Sequence, residues 1–452
     1  MTDRGLSIGA GAGHLVPAPE HHLVDSDLQR LTLSRRHLMG LAVSATLTPA
    51  AAVAAPAAGQ PTAPDNATPP PSYGLGQPVA AHPYGQPSRH QRGLERRALK
   101  ELSPVPQNSA SFTPLQGLFG IITPSGLHYE RHHSGWIDPD PRQHQLMISG
   151  AEPALINKPM LFSVDDLLRL PAVSRMHFLE CSGNTGMERQ RAVAPTVQYS
   201  HGLLSCSEFT GVPLRLLLER CGVDFKRARY VLAEGADAAA LTRTIPMELV
   251  ESGEVLVAYG QNGEHLRPEN GFPLRLVVPG VQGVSWVKWL RRIEVGEAPY
   301  NTRDEALKYI DLMPDGTHRQ YTSLQEVKSV ILSPSGGQTL GRQGFYAITG
   351  VAWSGRGKIR GVDVSMDGGR SWRSAQLTGA VQDKCLTRFH CDWVWDGNEA
   401  ILQSRAVDES GHVQPTHTAL RAARGTGSIY HNNAIQSWGV EQSGEVRNVQ
   451  VV

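Results

Sequence analysis

Apolar and polar positions along this chain follow three rhythms. From Ala55 to Val105, Pro, Ala, Gly and Gln dominate and no apolar period is sustained, the pattern of a linker or of an arm laid on a surface. Between residues 106 and 322, short apolar runs alternate with short helical stripes. Arg175–Leu179, Arg229–Ala233 and Val255–Tyr259 predict strands, with order beginning near Phe112. Ser163 predicts a cap for a helix over Val164–Leu170, and Pro213 a helix start whose Leu214, Leu217 and Leu218 share one face. After Ser323 the strands become short and alternating: Phe345–Ile348, Val362–Met366 and Ile401–Val407. Turn signals at Ser354–Gly357, Asp367–Gly369, Asp396–Gly397 and Asp408–Gly411 separate or follow them, which predicts an antiparallel, immunoglobulin-like β-sandwich. Trp353, Trp372, Trp393 and Trp395 are assigned to its core and edge. The fold class is therefore α+β: a mixed α/β domain over 106–322, then an all-β sandwich over 323–452 whose role is structural or interactive.

A length of 452 residues with 40% apolar and 19% charged content suits two globular domains. Lys plus Arg number 43 against 42 Asp plus Glu, so the field of a general polyanion binder is absent and nucleic acid is no partner. Residues 1–54 carry Leu33–Met39 with paired Arg35 and Arg36, then a short apolar run, then Ala52–Ala54. That layout predicts a twin-arginine signal and periplasmic export of a folded protein. The run is too short to span a bilayer. Cysteine parity is odd: Cys181, Cys206, Cys221, Cys385 and Cys391. Cys385 and Cys391 are near enough to pair across a short loop, though nothing demands it. No Cys-x-x-Cys-His and no zinc-type Cys pairs occur.

Three blocks carry candidate chemistry. Phe178–Asn184 runs from an apolar strand through Glu180 and Cys181 into a Ser-Gly-Asn turn, where Gly183 and Asn184 tolerate positive φ. A lone thiol is ordinarily a small core hydrophobe, but a strand end at a tight loop also presents a thiolate to a bound group. Leu127–Gly135 crowds Arg131, His132 and His133 together, either a solvated turn or an anion pocket. Arg189 and Arg191 add positive charge after the cysteine loop. In Arg267–Gly280, Arg275 lies inside an apolar alternation, and Lys288 lies between Trp286 and Trp289. A buried unpaired cation costs several kcal/mol, roughly, so each needs an anion: a carboxylate or a ligand phosphate.

Taken together, these blocks resemble the sulfite oxidase family of molybdenum enzymes. Glu180–Asn184 is similar to its cysteine loop, Tyr129–His133 to its arginine loop, and Gly271–Gly280 with Val287–Leu290 to its pterin-binding block. Val362–Gly369 with Trp372 resembles its dimerisation domain. Arg131–His133, Asp311–Gly316 and His431–Trp438 further resemble the molybdenum subunit of the Sox-type sulfane dehydrogenases.

The resemblance implies molybdenum held by a molybdopterin and by the thiolate of Cys181. It implies that Arg131 holds an anionic sulfur substrate and that Tyr309 hydrogen-bonds it. Tyr129, His132, His133, Asp237, Asn270, Arg275, Trp286 and Lys288 then grip the cofactor. Two positions depart from the pattern. Asn270 stands where sulfite oxidases often carry His, and Thr185-Gly186 follows Asn184 where they place an Arg pair. Lost charge there implies a more open entrance and a bulkier, protein-borne substrate. The implied activity is oxidation of sulfane sulfur, borne as a persulfide on a carrier protein, with oxygen from water. Electrons leave to a c-type cytochrome subunit, and the sandwich forms a homodimer. The rival readings are a sulfite dehydrogenase acting on free sulfite and a non-enzymatic exported binding protein.

Overall fold

The computed structural model describes residues 84–451 apart from 89, 92, 100–102, 320–323 and 428–429. The signal pattern, most of the 55–105 stretch and the junction at Ser323 lie outside the described residues. Pro87–Val452 form one compact unit.

In chain order come β1 (Arg97–Ala98), β2 (Ala110–Phe112), β3 (Glu130–Arg131), β4 (Gln145–Gly150), β5 (Met160–Ser163), α1 (Val164–Leu168) and β6 (Val173–Glu180). Next are α2 (Val197–His201), β7 (Leu204–Pro213), α3 (Leu214–Arg220), β8 (Tyr230–Gly235), β9 (Thr242–Pro246) and α4 (Met247–Glu251). Then follow β10 (Leu256–Gln261), β11 (Glu264–His265), β12 (Arg275–Val277), β13 (Leu290–Gly296) and α5 (Arg303–Leu307). Three sheets result: β1-β2-β3, a mixed sheet ordered β5-β4-β13-β8-β9, and a sheet ordered β11-β10-β7-β6 with β12 beside β10. Only β13 with β4 is a parallel pair among the strands of the mixed sheet. Short helices form where local chemistry favours them. Ser163 and Asp166 make a reciprocal capping box at α1, and Pro213 opens α3, whose Leu214, Leu217 and Leu218 are fully buried.

The second half adds β14 (Asp311–Leu312), β15 (His318–Arg319), β16 (Lys328–Ser333), β17 (Gly344–Trp353), β18 (Ile359–Ser365), β19 (Arg373–Ser374) and β20 (Gln376–Thr378). It closes with β21 (Thr387–Trp395), β22 (Ala400–Asp408), α6 (His417–Arg424), β23 (Ser437–Val440) and β24 (Val446–Val449). Sheets ordered β16-β17-β21-β20 and β19-β18-β22-β23-β24 share one core, to which Val351, Phe389, Val362, Leu402 and Trp438 contribute. Trp353, Trp393 and Trp395 are buried and Trp372 is half-buried, as the alternating pattern implies.

Strand β6 organises the rest. Successive side chains of a strand point to opposite faces. Phe178 therefore packs into the sandwich core, and Leu179 into the core of the first domain. Full burial of each stabilises by about 1.5–3 kcal/mol. With both faces fixed, the strand delivers Cys181 at a set height between two domains.

Two details differ from the sequence pattern. Paired structure begins at Arg97, ahead of Phe112, because Arg96 reaches Glu130 at 2.5 Å and β1 adds to β2. Cys385 lies against Cys206, Sγ to Sγ 3.4 Å, rather than Cys391, because β7 and the loop before β21 meet in the shared core; all five cysteines are free thiols.

Candidate active site

Cys181 follows the last residue of β6, and its amide donates to the Leu203 carbonyl at 2.9 Å. Asn184 closes the turn: its amide donates to the Cys181 carbonyl at 2.9 Å, and its Nδ2 to Glu180 Oε1 at 2.9 Å. The left-handed residue is Thr185, at φ 60°, not Gly183 or Asn184. A β-branched residue there is a strained one, costing on the order of 1–3 kcal/mol. Its side chain explains why it is held. Thr185 Oγ1 accepts from Lys328 Nζ and donates to the Asn432 carbonyl, both at 2.8 Å, while Asn432 Nδ2 donates to the Thr185 carbonyl at 2.7 Å.

Glu180, buried beneath the thiol, accepts from Lys328 Nζ at 2.9 Å and from Trp353 Nε1 at 2.8 Å. Both donors belong to the sandwich. The cysteine loop is thus fixed by an interdomain ion pair that is almost wholly buried, the partners exposing 2% and 3% of their side chains.

Two cavities meet at Cys181. The tighter encloses about 70 Å³, and every residue assigned to substrate or cofactor from the sequence lines it: Tyr129, Arg131, His132, His133, Cys181, Asp237, Asn270, Arg275, Trp286, Lys288 and Tyr309. The wider encloses about 340 Å³, with Leu99, Phe112, Met187, Tyr199 and Leu203 among its apolar walls. Arg131, His133, Cys181 and Tyr309 line both. His133 Nε2 shares a 2.9 Å hydrogen bond with the Tyr309 hydroxyl. Burial, with Arg131 and Lys308 close by, drops His133 to about 3, so the imidazole is neutral near neutral pH. Burial and the neighbouring Cys181 push Tyr309 up, which keeps its hydroxyl protonated. Burial also pushes the Cys181 thiol up, opposed by the Gly183 amide and by Arg131.

Within the tighter cavity, Arg275 and Lys288 form no ion pair with a carboxylate among the described residues, although Asp237 and Glu269 also line it. Arg275 is buried, donates to the carbonyls of Asn270 (3.0 Å) and Trp286 (3.2 Å), and leaves Nε without a partner. Its guanidinium lies 5.6 Å from the Phe209 ring centroid and 5.9 Å from that of Trp286. Lys288 Nζ meets His132 Nδ1 at 2.8 Å and donates to the carbonyls of Arg131 and Glu269, each at 3.2 Å. Desolvation depresses Arg275 to about 10 and Lys288 to about 7, and Arg275 itself lowers Lys288 further. Two desolvated cations and an orphaned donor fit an anionic group of phosphate type. Glycines let the backbone pack closely against the residues that line this cavity. Gly271 sits at φ 109°, where a Cβ would also stand 3.0 Å from Lys288 Cβ, and at Gly283 a Cβ would meet the Tyr129 hydroxyl at 2.7 Å. Ser134 Oγ fixes Asp237 by donating to Oδ2 at 2.8 Å. No group of three His, Cys, Asp or Glu side chains that could hold a metal occurs among the described residues. A metal held by the thiolate of Cys181 would fit a group that brings its own sulfur ligands, such as a dithiolate pterin.

Residues beyond the sequence reading complete the site. The sandwich half is not merely structural: Tyr430, after α6, lines the wider cavity, its ring centroid 5.0 Å from that of Tyr309. Arg189 adds no charge to that cavity's mouth, because it is buried and donates to the carbonyls of Tyr430 (2.5 Å) and His431 (2.9 Å). Arg243 stacks on Tyr309, 5.2 Å from the ring centroid, and approaches Glu305 at 3.8 Å. Arg243 in Leu241–Pro246 was legible as a cation within a β run; Tyr430, beside no periodic segment, gave no such signal.

Comparison with known proteins defines the class. The family model described as the oxidoreductase molybdopterin binding domain matches residues 133–303, and that of the Mo-co oxidoreductase dimerisation domain matches 319–438. Mitochondrial sulfite oxidase of Rattus norvegicus is 31% identical over 325 residues, and NADH nitrate reductase of Solanum lycopersicum 30% over 337, each alignment covering 66% of this chain. The chain spans 58% and 36% of the lengths of those two relatives. This chain belongs to the sulfite oxidase family of molybdenum oxidoreductases, and its cofactor is a molybdenum-molybdopterin. Within the family it is similar to the sulfane dehydrogenase SoxCD from Paracoccus pantotrophus, whose crystal structure superposes with a TM-score of 0.81 at 46% identity. That match covers 84% of this chain and 96% of the other. Family membership sets the non-enzymatic binding-protein reading aside.

Proposed function

We propose that this chain oxidises sulfane sulfur carried as a persulfide on the cysteine of a carrier protein, with oxygen from water and electrons leaving to a c-type cytochrome subunit. The observation that carries this reading is the wider cavity, a roomy apolar approach of about 340 Å³ that narrows onto Cys181, Arg131, His133 and Tyr309. A peptide-borne sulfur needs such an approach, whereas a free dianion gains little from it. The 46% identity to a sulfane dehydrogenase supports the same substrate.

Cys181 is the thiolate ligand of the metal in this reading. Arg275 and Lys288 hold the pterin's phosphate, and Tyr129, His132, His133, Asp237, Asn270 and Trp286 line its bed. The bound group supplies two-electron oxygen-atom chemistry. Arg131, fixed by its Nη1 bond to Asn108 Oδ1 at 2.8 Å, holds the anionic sulfur terminus. Tyr309 keeps its proton and donates a hydrogen bond to the substrate, with the neutral His133 holding its hydroxyl in place.

Export in the folded state follows from the paired arginines at 35 and 36 and places the reaction in the periplasm. No helix among the described residues is long and apolar enough to cross a membrane. A homodimer through the sandwich fits the dimerisation-domain match and the cross-strand pair Phe345 and Val394, which are 64% and 71% exposed. The test is steady-state turnover by molybdenum-loaded protein, with cytochrome c as acceptor. A persulfidated carrier is expected to be oxidised in preference to free sulfite. Turnover of sulfite alone would replace this reading with that of a sulfite dehydrogenase.

A further inference from the structure

A line of contacts leads outward from the tighter cavity. Lys288 Nζ meets His132 Nδ1 at 2.8 Å, His132 Nε2 meets Glu130 Oε2 at 2.8 Å, and Glu130 Oε1 meets Arg96 Nη1 at 2.5 Å. Exposure grows along it: 2% for the His132 side chain, 16% for Glu130 and 23% for Arg96. The imidazole is held between its two partners by Trp289, whose ring centroid lies 5.9 Å from that of His132 and 4.7 Å from Lys288 Nζ. Lys288 and His132 line the cavity, and Glu130 in β3 stands behind them.

These partners fix where the proton of His132 sits. Burial raises the Glu130 carboxyl, but its hydrogen bond to His132 and the charge of Arg96 outweigh that and hold it below the ordinary carboxylate range. An ionised carboxylate only accepts, so His132 Nε2 is the donor. Burial, with Lys288 adding to it, lowers His132, so the ring is neutral and Nδ1 is left as a bare acceptor. The Lys288 ammonium donates into it, and its other two N–H groups go to the carbonyls of Arg131 and Glu269. The opposite tautomer would turn an N–H toward the ammonium and cost Lys288 one of its three acceptors.

We propose that Glu130 is a positioning residue for the cofactor: acting through His132, it holds the Lys288 ammonium in place at the wall of the tighter cavity. This rests on the assignment of Lys288 to the pterin's phosphate and names the group that keeps it there. The other charges facing Lys288 are Arg275 from β12 and Arg131 from β3, which oppose its own, and Asp237 from the loop after β8, which favours it. Glu130 adds a favourable charge that arrives along a hydrogen-bonded ring and so fixes direction as well. Loss of one charge-assisted hydrogen bond corresponds to roughly a tenfold or larger fall in affinity.

The test is a double-mutant cycle on cofactor-free full-length protein, with inorganic pyrophosphate binding read by calorimetry at a pH below about 7, where Lys288 is charged. E130L is expected to weaken binding by roughly tenfold in the wild-type background and to leave K288M unchanged. E130Q, which still accepts the His132 Nε2 proton, is expected to recover part of the loss. H132F, which breaks the link and leaves Glu130 in place, is expected to weaken binding as E130L does. Wild-type affinity in E130L or H132F, or an equal loss from E130L in the K288M background, overturns the proposal and leaves the phosphate assignment standing. Wild type and K288M binding pyrophosphate alike would overturn that assignment and the proposal with it.

Discussion

On one side of Cys181 lies a tight chamber with two desolvated cations and an orphaned guanidinium nitrogen, lined also by Asp237 and Glu269, which form no ion pair with Arg275 or Lys288. On the other lies a cavity nearly five times as large by volume, about 340 against 70 Å³, with apolar walls and few cations. Under the proposed function, the materials differ because the occupants do. A cofactor that stays for the life of the protein can be held by cations that are costly to bury and are neutralised once it binds. A substrate that must enter and leave on a carrier is better served by shape and weak contacts. Four side chains, Arg131, His133, Cys181 and Tyr309, line both spaces.

That contrast can be broken in graded ways. The largest effect is expected from Cys181→Ala at the junction: loss of turnover with an unchanged circular dichroism spectrum, whereas Cys206→Ala and Cys221→Ala retain turnover. Equal losses in all three would point to packing. Next, Arg275→Met strips the tight chamber of its buried guanidinium and is expected to yield protein depleted in molybdenum and pterin, read by elemental analysis. Lys328→Met leaves Glu180 buried without its cation and is expected to cost about 3–5 kcal/mol in urea unfolding. Turnover should fall with it, since the cysteine loop rests on that pair.

A smaller effect concerns pH. Lys288 in the cofactor-free protein is protonated below about 7 and neutral above it. The ratio of wild-type to K288M affinity for inorganic pyrophosphate, in which the ligand's own titration cancels, is therefore expected to fall as pH rises through about 7. The same depressed lysine makes the folded chain bind fewer protons than the unfolded one between about 7 and the ordinary lysine range. In that window the stability of the cofactor-free protein rises with pH, and the rise is absent in K288M.

Much of the tight chamber is legible along the chain because buried cations are anomalous in apolar strands. Arg275 in β12 and Lys288 between two tryptophans betray themselves by cost alone. Cys181 is weaker as a lone thiol, and only its company with Arg131 and the pterin-type block raises it. The wider cavity is harder to read. Its walls are ordinary apolar residues such as Leu99, Phe112 and Leu203, indistinguishable by pattern from core. The clamp that places Tyr430 depends on Arg189, Thr185 and Asn432, which meet only through tertiary folding. Thr185 shows the limit plainly: an absent charge was visible in the sequence, but not that its hydroxyl anchors Lys328 and the C-terminal segment.

X-ray absorption at the molybdenum edge tests the junction most directly, on wild-type protein and Cys181→Ser loaded in the same host. The expected result is one fewer sulfur neighbour around the metal in Cys181→Ser, with Cys206→Ser indistinguishable from wild type. An unchanged sulfur shell in Cys181→Ser would contradict it, because the metal would then be held without residue 181.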